Sequence, residues 1–139
     1  MRKMNKPGSF FLASMFFLLS TQSSWACRCV PFNLEQSYNK SKLAVIATTV
    51  KIDNMSNESK KVTLKIHKSW KEKIESQIEL IQEPSSCAFI FKKNTKYLLY
   101  LNKHNNRFYT TLCSGNKEYK SAKSELKWLN NHSKSKVIN

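Results

Sequence analysis

The stretch VTLKIHKSWKEKIESQIELIQ, residues 62–82, decides the fold and admits two readings. Ile66, Trp70, Ile74, Ile78 and Ile81 recur at helical spacing, so periodicity alone allows one helix over 66–81. Val62, Leu64 and Ile66 also alternate with polar residues, which starts a strand running to about Ser69. A Trp-Lys turn and a second strand at 77–82 would then follow. Periodicity does not choose between the two.

On the amino-terminal side lies LAVIATTVKI, residues 43–52, rich in β-branched residues and expected to be a long, mostly buried strand. Residues 33–40 read as a short helix with Asn33 as N-cap and Gln36 three residues on. Residues 53–60 read as a polar loop. On the carboxyl side, Pro84-Ser85-Ser86 breaks the chain before Cys87, and Phe89 and Phe91 alternate around Ile90. The run Tyr97 to Leu101 is a strong strand signal, with a turn at 102–106 and a hairpin partner at 108–112. Residues 117–131 read as an amphipathic helix with Tyr119, Ala122, Leu126 and Leu129 on one face. About five strands with a leading and a closing helix fit a small closed β-barrel. Gly115 is the only glycine after residue 26, although barrels of this size usually bend their strands at glycine.

The first 26 residues have the form of a signal peptide. Arg2, Lys3 and Lys6 precede the apolar run FFLASMFFLLS, residues 10–20, which is too short to span a bilayer as a helix. Ser24 and Ala26 supply small residues before a cleavage point at Cys27. Acylation of Cys27 is not expected, because lipoprotein sites want an aliphatic residue and a small one where Ser24 and Trp25 stand. The expected product is therefore secreted or periplasmic, without a stable membrane span. Its expected layout is one monomeric domain over 27–131 and a flexible tail at 132–139. The chain carries 24 basic and nine acidic residues; with three bases in the leader, 21 would face nine acids in the mature part, a net charge of about +12. That favours anionic surfaces as partners.

Cys27, Cys29, Cys87 and Cys113 all lie in the exported part, and an even count in a small exported domain points to two disulfides. Of three pairings, Cys27–Cys29 would close a strained ring over a single residue. Two pairings remain, each tying the amino terminus to the distant chain through loops of roughly 60–85 residues. The loop-entropy model gives each such loop about 4–5 kcal/mol.

Little else carries chemistry. His67, His104 and His132 have no metal-ligand spacing. The acids make no general acid/base pair and no Gly-rich phosphate loop or cofactor motif exists, so an enzyme is not expected. Tyr97, Tyr100, Phe108 and Tyr109 beside many lysines could stack on bases, but in an exported, disulfide-bonded chain they are expected to fill the core, and nucleic acid is not the expected partner. Cys27 is different. A free α-amine titrates near 7.7–8.0, and with the carbonyl of its own residue it forms a five-membered chelate suited to the open position of a catalytic zinc.

The order of motifs resembles the amino-terminal domain of the tissue inhibitors of metalloproteinases and the wider netrin-like module. The resemblance is carried by Cys27-Arg28-Cys29 directly after a signal, then VPFNLEQSYNKSKLAVIATTV and VTLKIHKSWK. Cys87-Ala88-Phe89, KYLLYL and TLCSG at 111–115 follow in order, so about residues 27–130 are covered. It favours the strand–turn–strand reading, and implies an OB-fold-like five-stranded barrel with Cys27 paired to Cys87 and Cys29 to Cys113. It further implies that Cys27 chelates the zinc of a target protease in trans and that Arg28 enters the specificity pocket. Val30 and Pro31 would line the contact. Arg28 stands where the animal inhibitors usually have Ser or Thr, and their third disulfide is missing, which suggests a minimal, bacterial-type relative. The function implied is a secreted metalloendopeptidase inhibitor. The alternative is a non-inhibitory netrin-like module that binds an anionic polymer or an extracellular protein through its basic surface.

Overall fold

A computed structural model describes residues 26–134. Residues 1–25, almost all of the expected signal peptide, and residues 135–139 of the expected tail lie outside the described residues. The elements are α1 (Leu34–Lys40), β1 (Leu43–Asn54), β2 (Lys60–Ser69), β3 (Gln77–Gln82), β4 (Lys96–His104), β5 (Arg107–Tyr109), β6 (Lys117–Glu118) and α2 (Lys123–Lys134). Antiparallel ladders join β1 to β2, β2 to β3, and β4 to β5, while β3 meets β5 in parallel. Pairing of β4 back onto β1 closes a five-stranded, OB-fold-like barrel, and β6 extends the far edge of β4.

The strand–turn–strand reading of residues 62–82 is the one realised, and burial explains why. Ile66, Ile74 and Ile78 face the barrel interior with Val62, Leu64, Leu80, Leu99 and Leu101, whereas Trp70 packs outside in a second cluster. A single helix would put them all on one face. The Trp70–Lys71 turn instead ties both helices to the barrel. The Trp70 indole N–H donates to Asn130 Oδ1 of α2 at 3.1 Å. Lys71 Nζ donates to the carbonyl of Tyr38 at 2.6 Å, close to the end of α1.

No strand bends at a glycine. Two irregularities in the β1–β2 ladder take that part, one leaving His67 as an extra residue on β2 and the other leaving Val50 extra on β1. Each bulge increases local twist and coils the strand pair toward closure.

Asn33 caps α1 as expected, its Oδ1 accepting from the Gln36 N–H at 2.9 Å. Several expected boundaries change. β1 continues to Asn54 and β2 starts at Lys60, so the loop between them shrinks to a 3₁₀ turn at Ser56–Glu58. β4 runs to His104 and turns through Asn105 and Asn106, both at positive φ, as short polar side chains tolerate. β5 stops at Tyr109 because Thr110 Oγ1 donates to the Tyr100 carbonyl and Thr111 caps a 3₁₀ turn at Leu112–Ser114. The closing helix also starts later than expected and reaches Lys134, with residues 117–118 spent on β6 and 119–121 on another 3₁₀ turn. Ala122 and Leu129 are buried as expected, but Tyr119 is exposed, with the Lys96 ammonium 4.3 Å from its ring centroid.

Under α2 sits a buried carboxylate, Glu125, held by Lys117 Nζ and by Ser124 Oγ at 2.8 Å. Burial acts to raise its pKa, but the hydrogen bonds from Lys117 and Ser124 outweigh it and leave the carboxyl below the ordinary 4.5. A depressed folded-state pKa contributes stability above about pH 4.5, and that contribution is lost as pH falls through the folded value. Glu125→Gln should therefore cost about 1–2 kcal/mol at pH 7, with the gap to the parent closing below about pH 4. Urea melts of both proteins across pH 3–7 check it; a gap independent of pH would assign the loss to packing alone.

Candidate functional site at the disulfide-pinned tip

Three chain segments meet at one end of the barrel: residues 26–32, residues 84–91 after β3, and residues 110–115 after β5. The latter two are held to each other by an isolated antiparallel pairing of Ala88 with Thr111 and by the Leu112 N–H donating to the Cys87 carbonyl at 2.8 Å. Local turn chemistry sets both cysteines in place. Ser85 Oγ accepts from the Cys87 N–H at 3.1 Å, and Thr111 Oγ1 accepts from the Cys113 N–H at 3.3 Å in a capping box completed by Ser114.

Onto this platform the first segment is stapled twice, Cys27 to Cys87 and Cys29 to Cys113, each with Cα atoms 5.1 Å apart. Of the two pairings left open by ring strain, this is the one the family resemblance implies. The bridges touch, with Cys27 Sγ and Cys113 Sγ 3.5 Å apart. The sulfurs of Cys27, Cys29 and Cys113 cluster as metal ligands would, but all belong to disulfides and offer no thiolate.

Between and beyond the staples the chain is open to solvent. Arg28, Val30 and Pro31 are exposed, Val30 at 80 %, while Cys27 is half-buried against its partner. The structure thus brings Cys27, Arg28, Cys29, Val30 and Pro31 together on one projecting segment. The two supporting segments each add an exposed apolar residue not singled out from sequence, Ile90 at 77 % exposure and Leu112 at 51 %. Ile90 had a readable signal: Phe89 and Phe91 point inward to Tyr97 in edge-to-face contacts, so the residue between them must point out. Leu112 had none, since its exposure follows from the 3₁₀ turn.

Phe32 anchors the far end of the segment. Its ring lies 6.4 Å from that of Tyr100, with Lys117 Nζ 5.5 Å from its centroid, and it occupies the space left by the missing side chain of Gly115. Beside the platform, a groove of about 300 Å³ runs between Ile52, Val62, Pro84, Phe89 and Ile90. It is large enough for one apolar side chain of a partner.

The remaining candidates are placed elsewhere. Tyr97 and Tyr100 are buried, Phe108 is half-buried and Tyr109 is 40 % exposed, so these four rings make no continuous stacking platform. His67 bonds Thr48, His132 stacks on Trp128 at 4.1 Å, and His104 ends β4, so the three do not converge. No helix among the described residues is long and apolar enough to cross a membrane.

The architecture defines a class: a disulfide-bonded, OB-fold-like barrel that carries a doubly stapled, solvent-exposed segment at one end. No protein-family model matches the chain, and no curated protein matches it.

Proposed function

We propose that the protein is an exported inhibitor of zinc endopeptidases that acts through Cys27 once the preceding residues are removed. The observation that carries this reading is the double staple: Cys27 and Cys29 are fixed on either side of an exposed Arg28. A segment held in one conformation before binding gives up little further chain entropy on association. The freed α-amine and the carbonyl of Cys27 would chelate the zinc of the target protease, with Arg28 entering the neighbouring pocket. Val30, Pro31, Ile90 and Leu112 supply apolar surface around that point, the composition expected at the centre of a protein interface. The motif order shared with the tissue inhibitors of metalloproteinases supports the same assignment. A long cation at Arg28 favours targets whose pocket offers a carboxylate, because an apolar pocket leaves the guanidinium desolvated and unpaired.

Inhibition of a panel of zinc endopeptidases by oxidised protein beginning at Cys27 tests this, against the same protein with one alanine added in front. The extension should weaken inhibition at least tenfold without changing the melting temperature, and Arg28→Thr should change which members are inhibited. Inhibition by neither form across the panel would sink the proposal.

The second reading, a netrin-like module binding through its basic surface, is favoured by a separate observation. Lys65 and Lys96 flank Thr48 in register, and Lys120, Lys123 and Lys127 line one open cleft along α2.

A further inference from the structure

Lys65 on β2 and Lys96 on β4 both pair in register with Thr48 on the central strand β1. Directly paired residues present their side chains on the same face. The two ammonium groups therefore flank Thr48 on the outside of the barrel, with Cα atoms two strand spacings, about 10 Å, apart. His67, the extra residue of the β2 bulge, joins the row through its ring nitrogen Nε2, 2.8 Å from Thr48 Oγ1.

The row continues onto the closing helix. Lys96 reaches over the ring of Tyr119, and Lys68 Nζ donates to Asn130 Oδ1 at 2.6 Å. Tyr119 and Asn130 in turn line an open cleft of about 550 Å³ together with Lys120, Lys123, Lys127 and Asn131. Lys123 and Lys127 are one turn apart on α2, where like charges repel. The only acid of α2, Glu125, is turned inward onto Lys117. On the sheet side Glu79 is engaged by Lys61, Glu118 by Lys92 and Lys120, and Glu72 by Lys42, while Glu75 shares a pocket with His67 and Lys68 as a counter-ion at that end of the row. The cations of this face, Lys65, Lys68, Lys96, Lys120, Lys123 and Lys127, thus outnumber their counter-ions. Burial first, then Lys96 and Lys65, hold the His67 imidazole below its ordinary 6.5, as expected in an uncompensated positive field.

We infer that this strip, from Lys65 and His67 across Lys96 and Tyr119 to Lys123 and Lys127, is a binding site for a linear acidic polysaccharide. Charge complementarity selects a polyanion. The polar groups select its kind: Tyr119 offers one ring edge, and the amides of Asn130 and Asn131 suit hydroxyl groups. Successive exposed rings of the sort that stack on consecutive bases are absent from the strip among the described residues. The site shares no residue with the tip and does not depend on the inhibitor assignment.

The test is binding of a size-fractionated heparin octasaccharide to the oxidised full domain at several salt concentrations. A sixteen-residue oligothymidylate and phosphatidylglycerol vesicles serve as rival polyanions. A strip variant (Lys65→Ser, Lys96→Ser, Lys123→Ser, Lys127→Ser) is compared with a control variant losing the same charge elsewhere (Lys40→Ser, Lys60→Ser, Lys93→Ser, Lys103→Ser). The strip variant should bind the octasaccharide at least about 30-fold more weakly and with a shallower salt dependence, the control less than about threefold. Octasaccharide should also raise the pKa of the His67 ring read by NMR, leaving His104 unmoved. Equal losses in both variants would overturn the inference in favour of diffuse charge. Tighter binding of the oligonucleotide or the vesicles would overturn it in favour of that partner. Matching circular dichroism of the three proteins separates these outcomes from misfolding.

Discussion

Replacing Cys29 and Cys113 together by serine is expected to destabilise the domain by about 3.5 kcal/mol, rather than the 4–5 kcal/mol that an isolated loop of that length would give. The difference comes from how the bridges interleave. Each spans a long stretch alone, 60 residues for Cys27–Cys87 and 84 for Cys29–Cys113. Once one is closed, the other closes a much shorter circuit, two residues from Cys29 back to Cys27 and 26 from Cys87 to Cys113. The same circuit governs removal of either bridge, so the Cys27/Cys87 pair should cost the same amount within error. Removing both should cost about 8 kcal/mol, comparable with the whole stability of a domain this size. Thermal and urea melts of the two double variants and the quadruple variant check this. Each double variant should melt roughly 15 °C or more below the parent. Losses that add as independent loops would refute the interleaved account, and losses under about 1 kcal/mol would mean that the barrel holds the segment unaided.

Among single substitutions near the tip that leave both bridges intact, Gly115→Ala should be the most damaging, at about 2–3 kcal/mol. Two costs combine there. Gly115 ends the 3₁₀ turn at φ +88°, a left-handed conformation that L side chains adopt at a penalty. A Cβ would also sit 2.0 Å from Phe32 Cε2 and 2.6 Å from Cδ2, so the ring must leave its seat against Tyr100. Phe32 is partly exposed and can swing outward, which limits the cost but frees the segment that it anchors. A double-mutant cycle isolates the contact. In a Phe32→Ala background only the backbone penalty remains, so Gly115→Ala should cost about 1 kcal/mol less than it does in the parent. Additive costs would show that ring and glycine do not interact.

These contacts mark where sequence reading stops. β3 is legible to the residue at 77–82, and Asn33 is legible as a cap, because alternation and capping act within a few residues. The barrel order follows once residues 62–82 are read as two strands. The Trp70 ring is what deceives periodicity: it sits at helical spacing from Ile66 and Ile74 yet packs on the opposite side of the sheet. β6 leaves no pattern, since two residues pair with β4 only because the chain is already there. The tip was legible in its cysteines, Arg28, Val30 and Pro31, whereas Phe32 and Gly115 are neighbours only in space. The lysine strip has the same character. Lys65, Lys96 and Lys123 are scattered along the chain, and strand register and the docking of α2 gather them.

The interleaved bridges also impose an order of assembly. Cys27 and Cys29 come first along the chain, yet their partners lie 60 and 84 residues later. Neither bridge can close until its distant partner has been delivered, and Cys87 and Cys113 reach their places only as β3, β4 and β5 come together. The earliest part of the chain is therefore the last to be finished. Until residue 113 is in place, Cys29 waits as a thiol two residues from another cysteine. The tip thereby reports that the barrel behind it is complete.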